Sequence, residues 1–189
     1  MFSLDRKKRI KMKLTEIEQK FILHWGEMGT RWGVNRTVAQ VHALLYLSPN
    51  PLPAEEIAET LSVARSNVSN SLWELQSWGV VKITHHMGDR RDHFESLKDV
   101  WQMFQVVLDE RKRREIDPTV KMLRESMAEI EERKDVDRYT RERLKEMLVF
   151  FETMTGWYHE IRRLPKNAVL KFVKLGARVR ELLTTTTNG

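Results

Sequence analysis

No cysteine occurs in the 189 residues, which excludes a disulfide framework, a thiolate metal site and a thiol redox sensor. Glycine and proline are sparse, at 8 and 5, and Glu, Lys, Arg and Leu are frequent, which favours helices. No apolar run approaches the length of a membrane span, and the N-terminus lacks the apolar core of a secretory signal. The expectation is a soluble, cytoplasmic protein with no membrane partner. Catalytic signatures are also missing. There is no glycine-rich phosphate loop and no nucleophile elbow. His159-Glu160 lacks the second histidine that a zinc-binding helix needs four residues on. His85-His86 are adjacent, hence on opposite faces of a strand, and suit phosphate or solvent better than a metal. His24 and His42 fall in helical stripes, where a satisfied, partly buried imidazole is expected. No catalytic residue, metal or cofactor is assigned, and an enzyme would need a site assembled across the fold.

What charge there is sits unevenly. The formal total is +6. Met1 to Lys13 holds Arg6, Lys7, Lys8, Arg9, Lys11 and Lys13 against Asp5 alone, so this arm carries +5 and the rest only +1. Residues 1–13 read as a disordered basic arm, and Thr184 to Gly189 as a disordered tail.

The most informative stretch is Pro53 to Glu95. Pro53-Ala54-Glu55-Glu56 suits a helix N-terminus. Ser62-Val63-Ala64 is a small turn, and a second helix follows from about Arg65 to Trp78. Val68, Leu72 and Leu75 fall on its inner face, leaving Arg65, Ser66, Asn67, Ser69 and Asn70 outward at its start. Short polar side chains with one arginine are what base-edge and phosphate contacts in a major groove require. Trp73 and Trp78 are expected to anchor this helix to its own core. Gly79 ends it, Val80 to Thr84 alternates as a strand, and Met87-Gly88-Asp89 supplies a turn before Arg90-Arg91 and the return through Glu95. Asp89 lies two residues before Arg91, close enough to brace its guanidinium. Lys82, Arg90 and Arg91 would serve this wing. The acids of the first helix are expected to turn away from the DNA-facing side.

Glu55 to Leu61 followed by Arg65-Ser66-Asn67-Val68-Ser69 resembles the winged helix of MarR-type bacterial regulators. Gly88-Asp89-Arg90-Arg91-Asp92-His93-Phe94-Glu95, then Val100-Trp101-Gln102-Met103-Phe104, is similar to the GbsR branch of that group. The likeness runs from about Glu18 to Phe104. Ser62 departs from it, standing where many such turns have glycine. The resemblance implies a dimeric transcriptional regulator and, for some members, a link to choline and glycine betaine metabolism.

The expected fold is mainly α: a winged helix-turn-helix head with a small β-wing, residues 14–96, plus an all-helical dimerisation and effector half, residues 97–183. Helices are expected from Leu14 to Trp32, with Ile17, Phe21, Trp25 and Met28 on one side, and from Asn35 to Leu47. Ser48 to Pro53 reads as a stiff linker, and Asp117-Pro118 as a helix restart with aspartate as cap. The helix from Thr140 to Arg163 turns Leu144, Met147, Leu148, Phe151, Met154 and Tyr158 inward. The last, Lys166 to Leu183, has a stripe broad enough for two neighbours. Phe151, Phe172, Leu175 and Val179 are therefore expected at a homodimer interface. Six tryptophans are many for this length, and converging rings can hold a quaternary ammonium. Trp25, Trp32, Trp101, Trp157 and Tyr158 are the candidates for such a small-molecule effector. The expected partner is double-stranded DNA, bound at a palindromic operator for regulation, most simply repression. The alternative is a winged helix that serves as a protein-interaction module.

Overall fold

Thr15 caps the first helix, α1 (Glu16–Arg31), and Glu18 reaches back to it. The Glu18 amide donates to Thr15 Oγ1 at 3.3 Å, and the Thr15 amide to Glu18 Oε2 at 2.7 Å. The computed structural model describes residues 12–133, 135–165, 167–169, 171 and 175. They divide into two compact units on either side of the step from Val107 to Leu108.

In the first unit, α1 lies against α2 (Arg36–Leu47) through Ile22, Gly26 and Gly29. A Cβ on Gly29 would come within 2.5 Å of the Ala39 Cβ, so glycine is what lets the two helices approach. This small-residue seam turns the expected apolar stripe. Phe21, Trp25 and Met28 are half-buried, but Ile17 is 82% exposed, contrary to the sequence reading. Asn35 caps α2 by accepting the Thr37 amide at 2.8 Å. Val38, Val41, Leu44 and Leu45 make α2 the centre of the core, with Ile57, Val68, Leu72, Leu75 and Val80 packed around it. Lys98 closes the other end of α2, its ammonium donating to the carbonyls of Leu45, Tyr46 and Ser48 at 2.7, 2.9 and 2.6 Å.

Leu52–Pro53 is not a plain linker. It forms β1, paired antiparallel with β3 (His93–Ser96), which in turn pairs with β2 (Val81–Thr84) in the order β1-β3-β2. Leu52 faces Phe94 and Lys82 faces Glu95. Pro53 is accepted because β1 is an edge strand, where the missing amide breaks no central ladder. Between β1 and β2 run α3 (Ala54–Leu61) and α4 (Arg65–Ser77). At the end of α4 the Gly79 amide donates to Gln76 at 2.9 Å and the Val80 amide to Leu75 at 3.1 Å, which turns the chain into the sheet. The fold is a winged helix-turn-helix.

The α3–α4 turn rests on Ser62, which takes a left-handed conformation with φ of 55°. That conformation carries a steric cost in any residue with a Cβ. Ser62→Gly is expected to raise the unfolding free energy by about 0.5–1 kcal/mol in urea titrations. A decrease would show that the serine side chain contributes more than the strain it imposes.

α5 (Val100–Arg111) packs Met103, Val106 and Val107 onto the core of the first unit. The second unit begins at its last turn. α6 does begin at Asp117 with Pro118 in its first turn, but Asp117 is not the cap that the sequence suggests. It has helical φ and ψ, and the chain passes from α5 through a single π-helical stretch, Lys112–Ile116, into α6 (Asp117–Glu132). Pro118 has no amide to give to the preceding turn, and one widened turn absorbs that loss. Asp137 caps α7 (Arg138–Arg163) by accepting the Thr140 amide at 2.9 Å. α6 buries Val120, Leu123 and Ile130 and lies along α7, tied to it by Arg124–Glu152 at 2.8 Å. Leu144, Leu148, Phe151 and Tyr158 of α7 are half-buried, whereas Met147 and Met154, expected inward, are exposed. Leu175 is exposed; Phe172, Val179, the tail and residues 1–11 of the basic arm lie outside the described residues.

Candidate nucleic-acid interface

The N-terminal half of α4 is an open polar face. Arg65, Ser66, Asn67, Ser69 and Asn70 are all exposed, while Val68, Ser71, Leu72 and Leu75 are buried. The Ser71 hydroxyl donates to the Asn67 carbonyl at 2.8 Å and so needs no outside partner. No carboxylate belongs to α4 before Glu74. Trp78 packs on the core as expected, but Trp73 does not: it is 73% exposed. It follows Ser66 by seven residues and Asn70 by three, which puts it on the outward face. Helical spacing carries that information, against the general tendency of tryptophan to be buried.

Three of the four candidate cations are held by carboxylates. Arg65 Nη2 lies 2.6 Å from Glu55 Oε1, and Lys82 Nζ 2.8 Å from Glu95 Oε1 across the β2–β3 pair. Glu55 is therefore not turned away from the reading helix. It sits where it pairs with the only cation at the start of α4, because without a phosphate the carboxylate is the available anion. Arg90 is exposed and has no carboxylate partner among the described residues.

The wing tip is organised around Asp89. Its amide donates to the His86 carbonyl at 3.1 Å, closing a turn in which Gly88 takes φ of 85°. The carboxylate then accepts the Arg91 amide at 3.0 Å and the Arg91 Nε at 3.0 Å. These bonds hold the Asp89 carboxyl far below the usual carboxylate range, and the same pairing raises Arg91. The Arg91 side chain remains half-exposed, so it is braced and still accessible. His93 sits beneath, buried, with Nδ1 at 3.0 Å from the Arg91 carbonyl and Nε2 at 3.6 Å from Asp89 Oδ2. His86 meets the His93 ring edge-on at 4.5 Å. The sequence spacing predicts the Asp89–Arg91 brace. It gives no sign of the His93 support, which needs the strand return to place it. His85 and His86 lie beyond the end of β2, so strand alternation does not govern them.

Of the five aromatic candidates, Trp25 and Trp32 come together, edge to face at 5.8 Å, with Phe21 stacked on Trp25 at 5.5 Å. Trp101 meets Phe104 at 5.7 Å. Trp157 and Tyr158 lie on α7 in the second unit. The Tyr158 hydroxyl donates to Asp109, which Arg162 Nη2 also contacts at 3.0 Å. Burial, then the bond to Asp109, pushes the Tyr158 phenol up to about 12. Among the described residues no three His, Asp or Glu side chains are grouped to hold a metal, and no helix is long and apolar enough to cross a membrane.

Residues 32–92, which span the described helix-turn-helix and most of the wing, match the MarR family model. Among solved structures, the chain is similar to a transcriptional regulator known from its crystal structure, at 19% identity and a TM-score of 0.59. That match covers 77% of this chain and 95% of the other. At such identity the likeness establishes the fold. The chain is also similar to a single-site mutant of MepR from S. aureus bound to an oligodeoxyribonucleotide, at 14% identity and a TM-score of 0.37, covering 74% and 92%. No curated protein sequence matches it.

Proposed function

We propose that this protein is a MarR-type DNA-binding transcriptional regulator, a cytoplasmic repressor of the GbsR branch that grips a palindromic operator as a homodimer. The observation that carries this reading is the exposed polar start of α4, which has no carboxylate of its own before Glu74, beside a wing whose Arg91 is braced by Asp89. Ser66, Asn67, Ser69 and Asn70 would read base edges, and Arg65 would exchange Glu55 for a phosphate. Lys82, Arg90 and Arg91 would meet the flanking backbone or minor groove. One head reads only a short half-site, which is why two are needed. Trp25 and Trp32 are the natural contact for a small cationic effector such as choline, through cation–π attraction.

Selection of duplexes from a random pool by the full chain tests the reading, followed by titration of the winner. Asn67→Ala is expected to relax preference at one base pair per half-site, by about 1–3 kcal/mol. Arg91→Ala is expected to weaken all sequences about tenfold and to flatten the slope of log affinity against log salt by about 0.9 for each phosphate it no longer neutralises. An unchanged preference in Asn67→Ala would remove α4 from the role of reading element. A chain that enriches no duplex would be a protein-docking module instead.

A further inference from the structure

Trp73 is the large apolar side chain that α4 leaves uncovered, 73% exposed. Buried Val68, Ser71, Leu72 and Leu75 define one side of α4. Ser66, Asn70, Trp73 and Ser77 run down the middle of the opposite side, and all four are exposed. No ring or cation of the described residues stacks on the indole, and 73% of its surface is open. Seven helical residues separate Trp73 from Ser66, about 10 Å along the axis. Trp73 therefore lies on the same line as the side chains assigned to base contacts, two turns along from Ser66.

The neighbours of Trp73 on that line decide what it touches. Ser66, Asn70 and Ser77 are small and polar, so on α4 the ring stands above them and is not part of an apolar stripe of the kind the core of a protein interface needs. Small neighbours also let a helix approach a groove closely. The one apolar group that base pairs present in the major groove is the 5-methyl of thymine. Resting on the reading of α4 as the recognition helix, we infer that Trp73 is a specificity-determining residue whose indole packs on thymine 5-methyl groups at the base edges of the major groove. It reads an apolar feature that the serines and asparagines around it do not.

The test uses the full chain and the duplex it enriches most from a random pool. That duplex is remade with deoxyuridine at one thymine at a time, which removes only the methyl group. The unmodified protein is expected to lose about fourfold in affinity for each methyl that Trp73 covers. Trp73→Ala is expected to bind the thymine duplex about tenfold more weakly and to be indifferent to the same deoxyuridine changes. Trp73→Phe keeps part of the discrimination. Thermal unfolding of Trp73→Ala should match the parent, because the side chain supports no core. Deoxyuridine sensitivity that survives in Trp73→Ala overturns the inference while leaving DNA binding intact. So does a parent protein indifferent to every deoxyuridine, which would move the indole to the sugar–phosphate wall. A parent that enriches no duplex overturns the DNA-binding reading itself, and this inference with it.

Discussion

Phe150→Glu in α7 is expected to convert the protein to monomers and to lower operator affinity by about 100-fold or more. The expectation comes from an apolar arc on α7 that stands exposed among the described residues. Met147, Phe150, Met154 and Trp157 recur at three- and four-residue spacing and are all exposed, Phe150 by 60%. That spacing is the seam of a helix that packs on another helix. The arc beside it, through Leu144, Leu148 and Phe151, is half-buried in the unit where α6 lies along α7. A second copy of the chain would cover the open arc, and a glutamate placed there would have to bury its charge or break the interface. Two linked heads bind the second half-site as an intramolecular event, which is the affinity that monomers lose. Light scattering gives the mass and gel shifts give the affinity. An unchanged dimer mass in Phe150→Glu would show that this arc is not the interface, and a monomeric parent would remove the dimer altogether.

The winged head is legible in the sequence because its signals are local. Asn35 as a cap, Gly79 as a stop, the inward Val68, Leu72 and Leu75, and the Asp89–Arg91 brace each depend on residues within about two turns of one helix or a few residues of one loop. What is not legible depends on contacts across the chain. Leu52–Pro53 looks like a linker until β3 comes back to pair with it. Lys98 caps a helix that ends about fifty positions earlier, an arrangement no local pattern encodes. Glu55 looks like an ordinary first-turn acid, and only the folded turn sets it against Arg65. Trp73 differs from expectation for another reason: residue type is a weaker guide than helical phase. For Ile17 the phase itself is turned by Gly26 and Gly29, since two glycines make a closer seam than the large side chains beside them.

Acid is expected to weaken the fold through His42 alone by about 3 kcal/mol between pH 7 and pH 4. The imidazole is buried on α2, 6.5 Å from the Trp25 ring and 6.5 Å from the Tyr46 ring, and its Nε2 has no hydrogen-bond partner. Burial above all, then the nearby Lys98 ammonium, lowers its pKa from 6.5 to about 4. The unfolded chain binds the proton with the ordinary value. From pH 6.5 down to about 4 the unfolded state therefore holds a proton that the folded state refuses, and unfolding becomes easier as pH falls. Above that window both states are neutral and the full stability is present; below it both are protonated and the loss is complete. The lowered carboxyls of Asp89, Asp109 and Asp137 also cost stability in acid, but only on approach to and below their ordinary 3.8. His42→Phe keeps an aromatic ring in the site and removes both the titration and the unpaired nitrogen. Urea unfolding at pH 7.5, 6, 5 and 4.5 is expected to show a steep decline in the parent and a much flatter one in His42→Phe, with the variant at least as stable at neutral pH. Parallel declines in the two proteins would mean that His42 takes up its proton without unfolding the head.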